Sequence, residues 1–164
     1  MTRSLRDALG YSEVMSEMAP EQTVDGKCVF CEIVAGRLPS DVVAEDNTTL
    51  AFMNIDPGSE GHLLVIPKAH SVDLLSVPQE DLIATTLVAQ RIATVMHSQM
   101  GAEGVNLLNS CGAVGWQSVF HFHLHVIPRY SDKSRDRLTL PYEPGAPSDP
   151  VARENYARRL AGAL

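Results

Sequence analysis

Three histidines, His121, His123 and His125, occupy every second position of one apolar segment of this chain. Successive side chains of a strand point to opposite faces, so the spacing predicts a row of imidazoles about 6–7 Å apart on one face. Neighbouring imidazoles resist simultaneous protonation, so part of the row is expected to be neutral near pH 7. Neutral imidazole is a nucleophile, a base or a metal ligand, and the row therefore predicts catalysis or metal binding. The opposite face is expected to belong to the core through Phe120, Phe122, Leu124 and Val126.

A second reactive pair is Cys28 and Cys31, which have the spacing Cys-x-x-Cys. Such a pair can be a redox couple, half of a zinc site or a chance occurrence. No thioredoxin-like strand precedes it, which disfavours the redox interpretation. Zinc takes four nitrogen or sulfur ligands, so two histidines must come from elsewhere. His70 and one member of the histidine row are the candidates, and Cys111 is left as a loop thiol.

Five segments with the composition of strands are expected to position these residues. The first three lie close together along the chain and are separated by turn signals, which favours an antiparallel meander. The last carries the histidine row. The predicted strands cover 41–45, 48–55, 61–67, 105–108 and 119–128.

One long helix is predicted over 78–100, between the third and fourth strands, and Pro78 suits its first turn. Shorter helices are predicted over 3–18 and from Pro150 to about Leu160. This order of elements indicates an α+β domain and not a βαβ repeat. The period of the long helix predicts one covered face: Leu82, Thr85, Thr86, Ala89, Ile92, Ala93 and Met96.

The composition disfavours several classes of partner. The chain has 164 residues, a formal net charge of −7 and a pI of about 5.3, which argues against binding to a nucleic acid polymer. Three cysteines are too few for a disulfide framework and indicate a reducing compartment. The first residues lack the apolar core of a signal peptide, and no apolar stretch reaches the ~20 residues that span a bilayer. We therefore expect a cytoplasmic protein with no membrane partner.

The segment QSVFHFHLHVIPR, at 117–129, resembles the H-x-H-x-H motif of the histidine-triad (HIT) family. The resemblance continues through CVFCEIVAGRLPS at 28–40, AFMNIDPGSEGHLLVIPKAH at 51–70 and the loop from Asn109 to Gly115. It implies an α+β fold with a five-stranded antiparallel sheet, one long helix and a C-terminal helix, paired as a homodimer. The expected organisation is an N-terminal extension over 1–25, the HIT domain over 26–140 and a tail with a short helix over 141–164.

The same resemblance implies a hydrolase that cleaves nucleoside phosphoramidates or related nucleotidyl conjugates at the α-phosphorus and releases a nucleoside monophosphate. His123 would be the nucleophile that forms a nucleotidyl-histidine intermediate. His125 and Ser118 would hold phosphate oxygens or assist the leaving group. Three alternatives stay open: a dinucleoside polyphosphate hydrolase, a nucleotide-binding or zinc interaction module with little catalysis, and a nucleotidyl transferase.

Residues that match the family's ligand contacts imply a site for a purine nucleotide. Two positions depart from the common pattern. Asn54 stands where aspartate is usual at the ribose, and Trp116 stands where glycine is common before Gln117. The matched positions are Phe30, Ile33 and Phe52 around the base, Asn54 and Ile55 at the ribose, His62 near both, and Asn109, Gln117, Ser118, His123 and His125 on the phosphate side.

The resemblance to family members that carry Cys-x-x-Cys also implies one structural zinc ion per chain. The matched ligands are Cys28, Cys31, His70 and His121. Four protein ligands complete a tetrahedral shell and leave no open position, so the metal is expected to be structural rather than catalytic. His97 matches nothing and is expected on a helix surface.

Overall fold

The computed structural model of the protein describes residues 23–24, 27–139, 145 and 148–164. The predicted helix over 3–18 lies outside these residues. The described helices are α1 (Val29–Val34), α2 (Gln79–Met100) and α3 (Pro150–Ala161). The described strands are β1 (Thr23–Val24), β2 (Lys27–Cys28), β3 (Val42–Glu45), β4 (Thr49–Met53), β5 (Leu63–Pro67), β6 (Gly104–Leu108) and β7 (Leu124–Arg129).

The main sheet has five antiparallel strands in the order β3-β4-β5-β7-β6, and β1 and β2 form a small separate hairpin. The predicted α+β class and five-stranded sheet are therefore confirmed. The first three strands form the expected meander, and β7 then inserts between β5 and β6. That insertion pairs Leu64 with His125 across the two strands, so both side chains lie on the same face of the sheet.

Both faces of the central strands are covered, which explains why β4 and β5 are apolar at nearly every position. One face packs against α2, and the other packs against α1. The α2 side is formed by Ala51, Leu63, Val65, Val88, Ala89, Met96, Phe122, Leu124 and Val126 among others. The α1 side is formed by Phe30, Leu50, Phe52, Leu64 and Ile66. His125 projects on the α1 side, whereas its neighbours Leu124 and Val126 project on the α2 side.

The predicted long helix is confirmed as α2. It begins after Pro78, carries Glu80 and Asp81 in its first turn and ends at Gly101, which adopts the left-handed conformation with φ of 68°. The predicted covered face is wrong at Thr86, which is exposed, and it omitted Val88, which is buried. None of the described helices is long and apolar enough to cross a bilayer.

The last predicted strand starts five residues later than expected, so only His125 of the histidine row lies in β7. Before Leu124, contacts of side chains and loops replace the backbone hydrogen bonds between strands. The imidazole of His121 bonds the carbonyl of Pro67, and the amide N–H of Phe122 donates to the carbonyl of Ser71 over 2.6 Å. Phe120 consequently leaves the core and is 41% exposed, contrary to the prediction.

Candidate functional site

An open cavity of about 1240 Å³ lies on the α1 side of the sheet, above the histidine row. Its volume is ample for a nucleotide-sized ligand. One part of the lining is apolar, and the other carries imidazoles, an amide and a hydroxyl. The lining includes Val29, Phe30, Ile33, Phe52, Asn54, Ile55, His62, Leu64, Ser118, Val119, His123 and His125.

The backbone fixes which ring nitrogen of His121 and of His123 carries the proton. His121 Nε2 lies 2.9 Å from the carbonyl oxygen of Pro67, to which it must donate. His123 Nδ1 lies 2.7 Å from the carbonyl oxygen of His121 and must donate as well. A neutral imidazole has one N–H, so His121 keeps its lone pair on Nδ1 and His123 keeps its lone pair on Nε2.

His125 is held by another histidine rather than by the backbone. Its Nδ1 lies 2.9 Å from Nε2 of His62, a residue just before β5 that is 6% exposed. The centroids of the His123 and His125 rings are 5.0 Å apart. Both rings line the cavity, so a phosphate bound there can meet the two side chains at once.

Burial keeps the histidine row neutral. It is the main cause that lowers the pKa of His121 to about 4 and the pKa of His125 to about 3. Burial also lowers the pKa of His123, although the hydrogen bond to the carbonyl of His121 partly opposes it. The sequence predicted neutrality from repulsion within the row. Repulsion contributes at His121 and His125, but burial is the larger effect.

The apolar end of the cavity is built around Phe30. Its ring meets Phe52 edge-to-face at a centroid distance of 5.4 Å and meets His123 in the same way at 5.4 Å. Ile33 lines the cavity from the same helix, α1. Ile55 also lines it and is fully exposed. These residues give the cavity an apolar lining beside the imidazole of His123, which suits an aromatic base.

Two residues predicted near the phosphate, Gln117 and Asn109, direct their side chains into the protein and not into the cavity. Gln117 accepts from the N–H of Gly112 over 2.8 Å and donates to the carbonyl oxygens of Val72 and Val119 over 2.6 and 3.1 Å. Asn109 donates to the carbonyl oxygen of His123 over 3.0 Å. Neither side chain lines the cavity, whereas Ser118 does. Their observed contacts fix the loop and the backbone that carry Ser118 and His123.

Residues 136–138 provide a wall of the cavity that no sequence pattern predicted: Arg137 and Leu138 line it, and Asp136 anchors the segment. Asp136, which is 1% exposed, accepts from the guanidinium of Arg129 over 2.7 Å and from the N–H of Tyr130. The N–H of Arg137 donates to the carbonyl of Gly58, and Arg137 and Leu138 then line the cavity. No short sequence motif marks residues 136–138. The one signal that could have indicated them is Asp136, the buried acidic partner of Arg129.

The four predicted metal ligands converge beside the cavity. Their donor atoms, in Cys28, Cys31, His70 and His121, all lie within 4.8 Å of one another. The first turn of α1 brings the two thiols together; this helix has only 6 residues and was not predicted from the sequence. His70 follows β5, and His121 precedes β7.

The geometry of this cluster fits a cation with tetrahedral coordination. Metal–sulfur and metal–nitrogen bonds of about 2.3 and 2.0 Å imply sulfur–nitrogen edges of about 3.5 Å. Cys31 Sγ lies 3.3 Å from His70 Nδ1 and 3.6 Å from His121 Nδ1, and Cys28 Sγ lies 3.6 Å from His121 Nδ1. The nitrogen that His121 presents is the one that carries its lone pair. The hydrogen bond from Nε2 to Pro67 orients the ring in the way that supports a metal ligand.

The Cys31 thiol needs a cation to ionise. Burial, followed by the hydrogen bond and charge of Cys28, raises the pKa of Cys31 to about 11. The Cys31 thiol therefore stays protonated at neutral pH unless a positive charge displaces the proton. A divalent soft cation with four sulfur and nitrogen ligands is the group that this donor set fits.

The comparisons with known proteins agree with this geometry. The chain is 35% identical over 119 residues to the adenosine 5'-monophosphoramidase HNT1 of Saccharomyces cerevisiae, a match that covers 73% of each chain. A crystal structure of a HIT family protein from Bacillus anthracis has a TM-score of 0.77 and 34% identity, with 87% of this chain and 99% of that chain covered. A zinc-bound histidine triad family protein from Mycobacterium smegmatis has a TM-score of 0.62 and 36% identity, with 84% and 97% covered.

A family model described as the HIT domain matches residues 35–132, which is more than half of the chain. The match ends just before the wall at 136–138 and includes the whole histidine row. On this match, and on the fold it shares with the solved structures, the chain belongs to the HIT family.

Proposed function

We propose that this protein hydrolyses nucleoside phosphoramidates or related nucleotidyl conjugates at the α-phosphorus, with His123 as the nucleophile. The observation that carries the proposal is the lone pair on His123 Nε2, which the hydrogen bond from Nδ1 leaves free beside the cavity. A neutral nucleophile of this kind splits one displacement into two easier steps. The yeast relative, which is an adenosine monophosphoramidase, supports the same class of reaction.

In the first step, His123 Nε2 bonds to phosphorus and the bond from phosphorus to the leaving group breaks. An amine leaves readily only if its nitrogen receives a proton, which reaches it from solvent through the open cavity. His125 is neutral, since its pKa is lowered to about 3, and is placed to hold a phosphate oxygen. In the second step, water attacks phosphorus, the bond to His123 breaks and a proton of the attacking water is released to solvent. The products are a nucleoside monophosphate and the free amine.

The cavity suits a purine nucleotide bound in one orientation. The apolar lining around Phe30 and Ile33 receives the base, Asn54 lies at the ribose, and Ser118 joins His123 and His125 around the phosphate. A phosphate leaving group, as in a dinucleoside polyphosphate, needs no proton from the protein. The monophosphoramidase activity of the yeast relative favours a phosphoramidate as the better substrate.

A substrate panel on matched variants tests this proposal. His123→Ala is expected to lower turnover of an adenosine phosphoramidate by about 10³-fold or more, because it removes the nucleophile. His97→Ala is the control, since His97 is exposed on α2. Undiminished turnover in His123→Ala would remove His123 from its role. Turnover of a dinucleoside polyphosphate alone would shift the proposal to that substrate.

We further propose that the cluster of Cys28, Cys31, His70 and His121 holds one structural zinc ion per chain. The ligand set leaves no open position, so zinc would supply folding free energy and no step of the reaction. Pairing of two chains into a homodimer and a cytoplasmic location stay predictions, which the mass in solution and a localisation experiment test.

A further inference from the structure

The register of the sheet places Asn54 and His123 at opposite ends of the cavity. Phe52, Leu64 and His125 lie in one row across β4, β5 and β7. The strands β4 and β7 run in the same direction, because each is antiparallel to β5. Asn54 lies two residues beyond this row. His123 lies two residues before it, and therefore towards the other end of the cavity.

His62 connects the two ends. Its ring nitrogens lie 3.3 and 3.4 Å from the amide nitrogen of Asn54, and its Nε2 lies 2.9 Å from Nδ1 of His125. All three side chains belong to residues that line the cavity. A nucleotide whose phosphate meets His123 and His125 therefore extends its ribose over His62 towards the turn that begins at Asn54.

The side chain of Asn54 is already engaged within the protein. Its oxygen accepts from the N–H of Asp56 over 3.1 Å, and this contact to the residue two positions on closes an Asx turn. Its nitrogen faces the ring of His62 at nearly equal distances from both ring nitrogens. The amide therefore holds the turn and packs on His62, and it brings no charge to a ligand.

Asp56 supplies a charged acceptor at the same end of the cavity. It is exposed and lines the cavity, and its carboxylate has no hydrogen bond or ion pair with the other residues that the structure describes. Its negative charge acts on His62, where it opposes the lowering of the pKa by burial. An ionised carboxylate accepts hydrogen bonds from two hydroxyl groups and binds them more strongly than a neutral amide does.

We propose that Asp56 accepts hydrogen bonds from the ribose hydroxyls and makes the cavity select ribonucleotides over deoxynucleotides. This inference rests on the proposed function and names a specificity-determining residue that the sequence did not predict. Asn54 is then the positioning residue, because its Asx turn fixes the backbone from which the carboxylate projects. Asp56 takes no part in the steps at phosphorus, since it lies at the end of the cavity opposite His123.

Calorimetric titration of the full chain with adenosine monophosphate and with its 2',3'-dideoxy analogue tests the inference without turnover. Wild type is expected to bind the ribonucleotide about tenfold more tightly, because the analogue lacks the donors to a charged acceptor. Asp56→Asn keeps the backbone N–H that Asn54 bonds, and it is expected to reduce this ratio to about twofold.

Asp41→Asn is the matched control, because it removes the same charge from the cavity lining. Asp41 precedes β3, and β4 therefore separates it from β5 and His62. The ratio is expected to stay at about tenfold in this variant. Both nucleotides carry the same phosphate, so a general change in electrostatic attraction alters the two affinities together and leaves their ratio unchanged.

The outcomes distinguish this inference from the proposed function. A ratio that stays at about tenfold in folded Asp56→Asn, or that falls equally in Asp41→Asn, would overturn the inference. Turnover by a wild type that binds both nucleotides equally would overturn the inference alone. The expected ratios without turnover of any nucleotidyl conjugate would refute the proposed hydrolysis and support Asp56 as the ribose contact.

Discussion

The metal cluster and the reactive cavity use neighbouring members of one histidine row in different ways. His121 gives Nε2–H to the carbonyl of Pro67 and turns the lone pair of Nδ1 towards two thiols. His123 gives Nδ1–H to the carbonyl of His121 and turns the lone pair of Nε2 towards the cavity. The spacing of the histidines places them in one row, whereas the hydrogen bond at the other ring nitrogen decides which nitrogen keeps a lone pair. That choice suits His121 to the metal binding, and His123 to the catalysis, that we propose.

Loss of the metal is the largest effect that we expect to distinguish the metal cluster from the cavity. Cys31→Ser is expected to reduce bound zinc from about one equivalent to near zero and to lower Tm by about 10 °C, because a structural zinc ion contributes several kcal/mol of folding free energy. Metal analysis and calorimetry measure both quantities. Cys111→Ser is the control, since Cys111 lies outside the cluster. A well-folded wild type without zinc would contradict the assignment.

Acid is expected to affect the two regions at different pH values. His125 has a pKa of about 3, and that of His123 is lowered, so both stay neutral and turnover persists below pH 6.5, the ordinary histidine pKa. Zinc binding weakens earlier, because the Cys31 thiol has a pKa of about 11 without metal and protons compete for it. Parallel pH profiles of kcat and of zinc affinity test this order. A fall in kcat at pH 6.5 with zinc still bound would contradict it.

The lowered pKa values of the buried histidines also set the sign with which the free energy of unfolding depends on pH. Folded His121 and His125 titrate at about 4 and 3, below the unfolded value of about 6.5, so the unfolded chain binds more protons as the pH falls. The free energy of unfolding of metal-free protein is therefore expected to decrease from pH 6.5 to pH 4. Denaturant titration measures it, and His125→Asn should reduce the slope. A slope that stays the same would show that His125 is not buried in its neutral form.

The smallest expected effect concerns the cavity wall at 136–138. Arg137→Ala removes a lining side chain whose backbone remains held by the carbonyl of Gly58. We expect KM to rise a few-fold, with kcat and zinc content unchanged, because Arg137 lines the cavity but has no role in the proposed steps at phosphorus. Arg153→Ala on the exposed helix α3 is the control. A large fall in kcat would place Arg137 in the reaction itself.

Sequence reasoning succeeded where one local pattern determines the structure. The helical period fixed α2, and alternating apolar residues with turns fixed the meander β3-β4-β5. Four matched positions also predicted a set of cysteines and histidines whose donor atoms lie within 4.8 Å of one another, because zinc ligands are few in type and fixed in number. These features depend on neighbours in sequence or on a strict chemical requirement.

The failures arose where distant contacts decide the outcome. Phe120 lies outside the core because His121 bonds the last residue of β5, and Phe122 bonds the segment after it, instead of extending β7. Gln117 looked like a ligand contact, but its amide holds the loop through Gly112 and Val72. Neither the His62–His125 bond nor the wall at 136–138 follows from spacing, because both need the sheet order to be known first.

Covalent trapping on the enzyme is the most direct test of His123 as nucleophile. Rapid mixing with an adenosine nucleotidyl substrate, followed by an alkaline quench that preserves phosphorus–nitrogen bonds, allows the modified peptide to be mapped by mass spectrometry. We predict one adenylyl group on Nε2 of His123 and none on His121 or His125. An adduct on another residue, or turnover without any adduct and with inversion at phosphorus, would contradict the account.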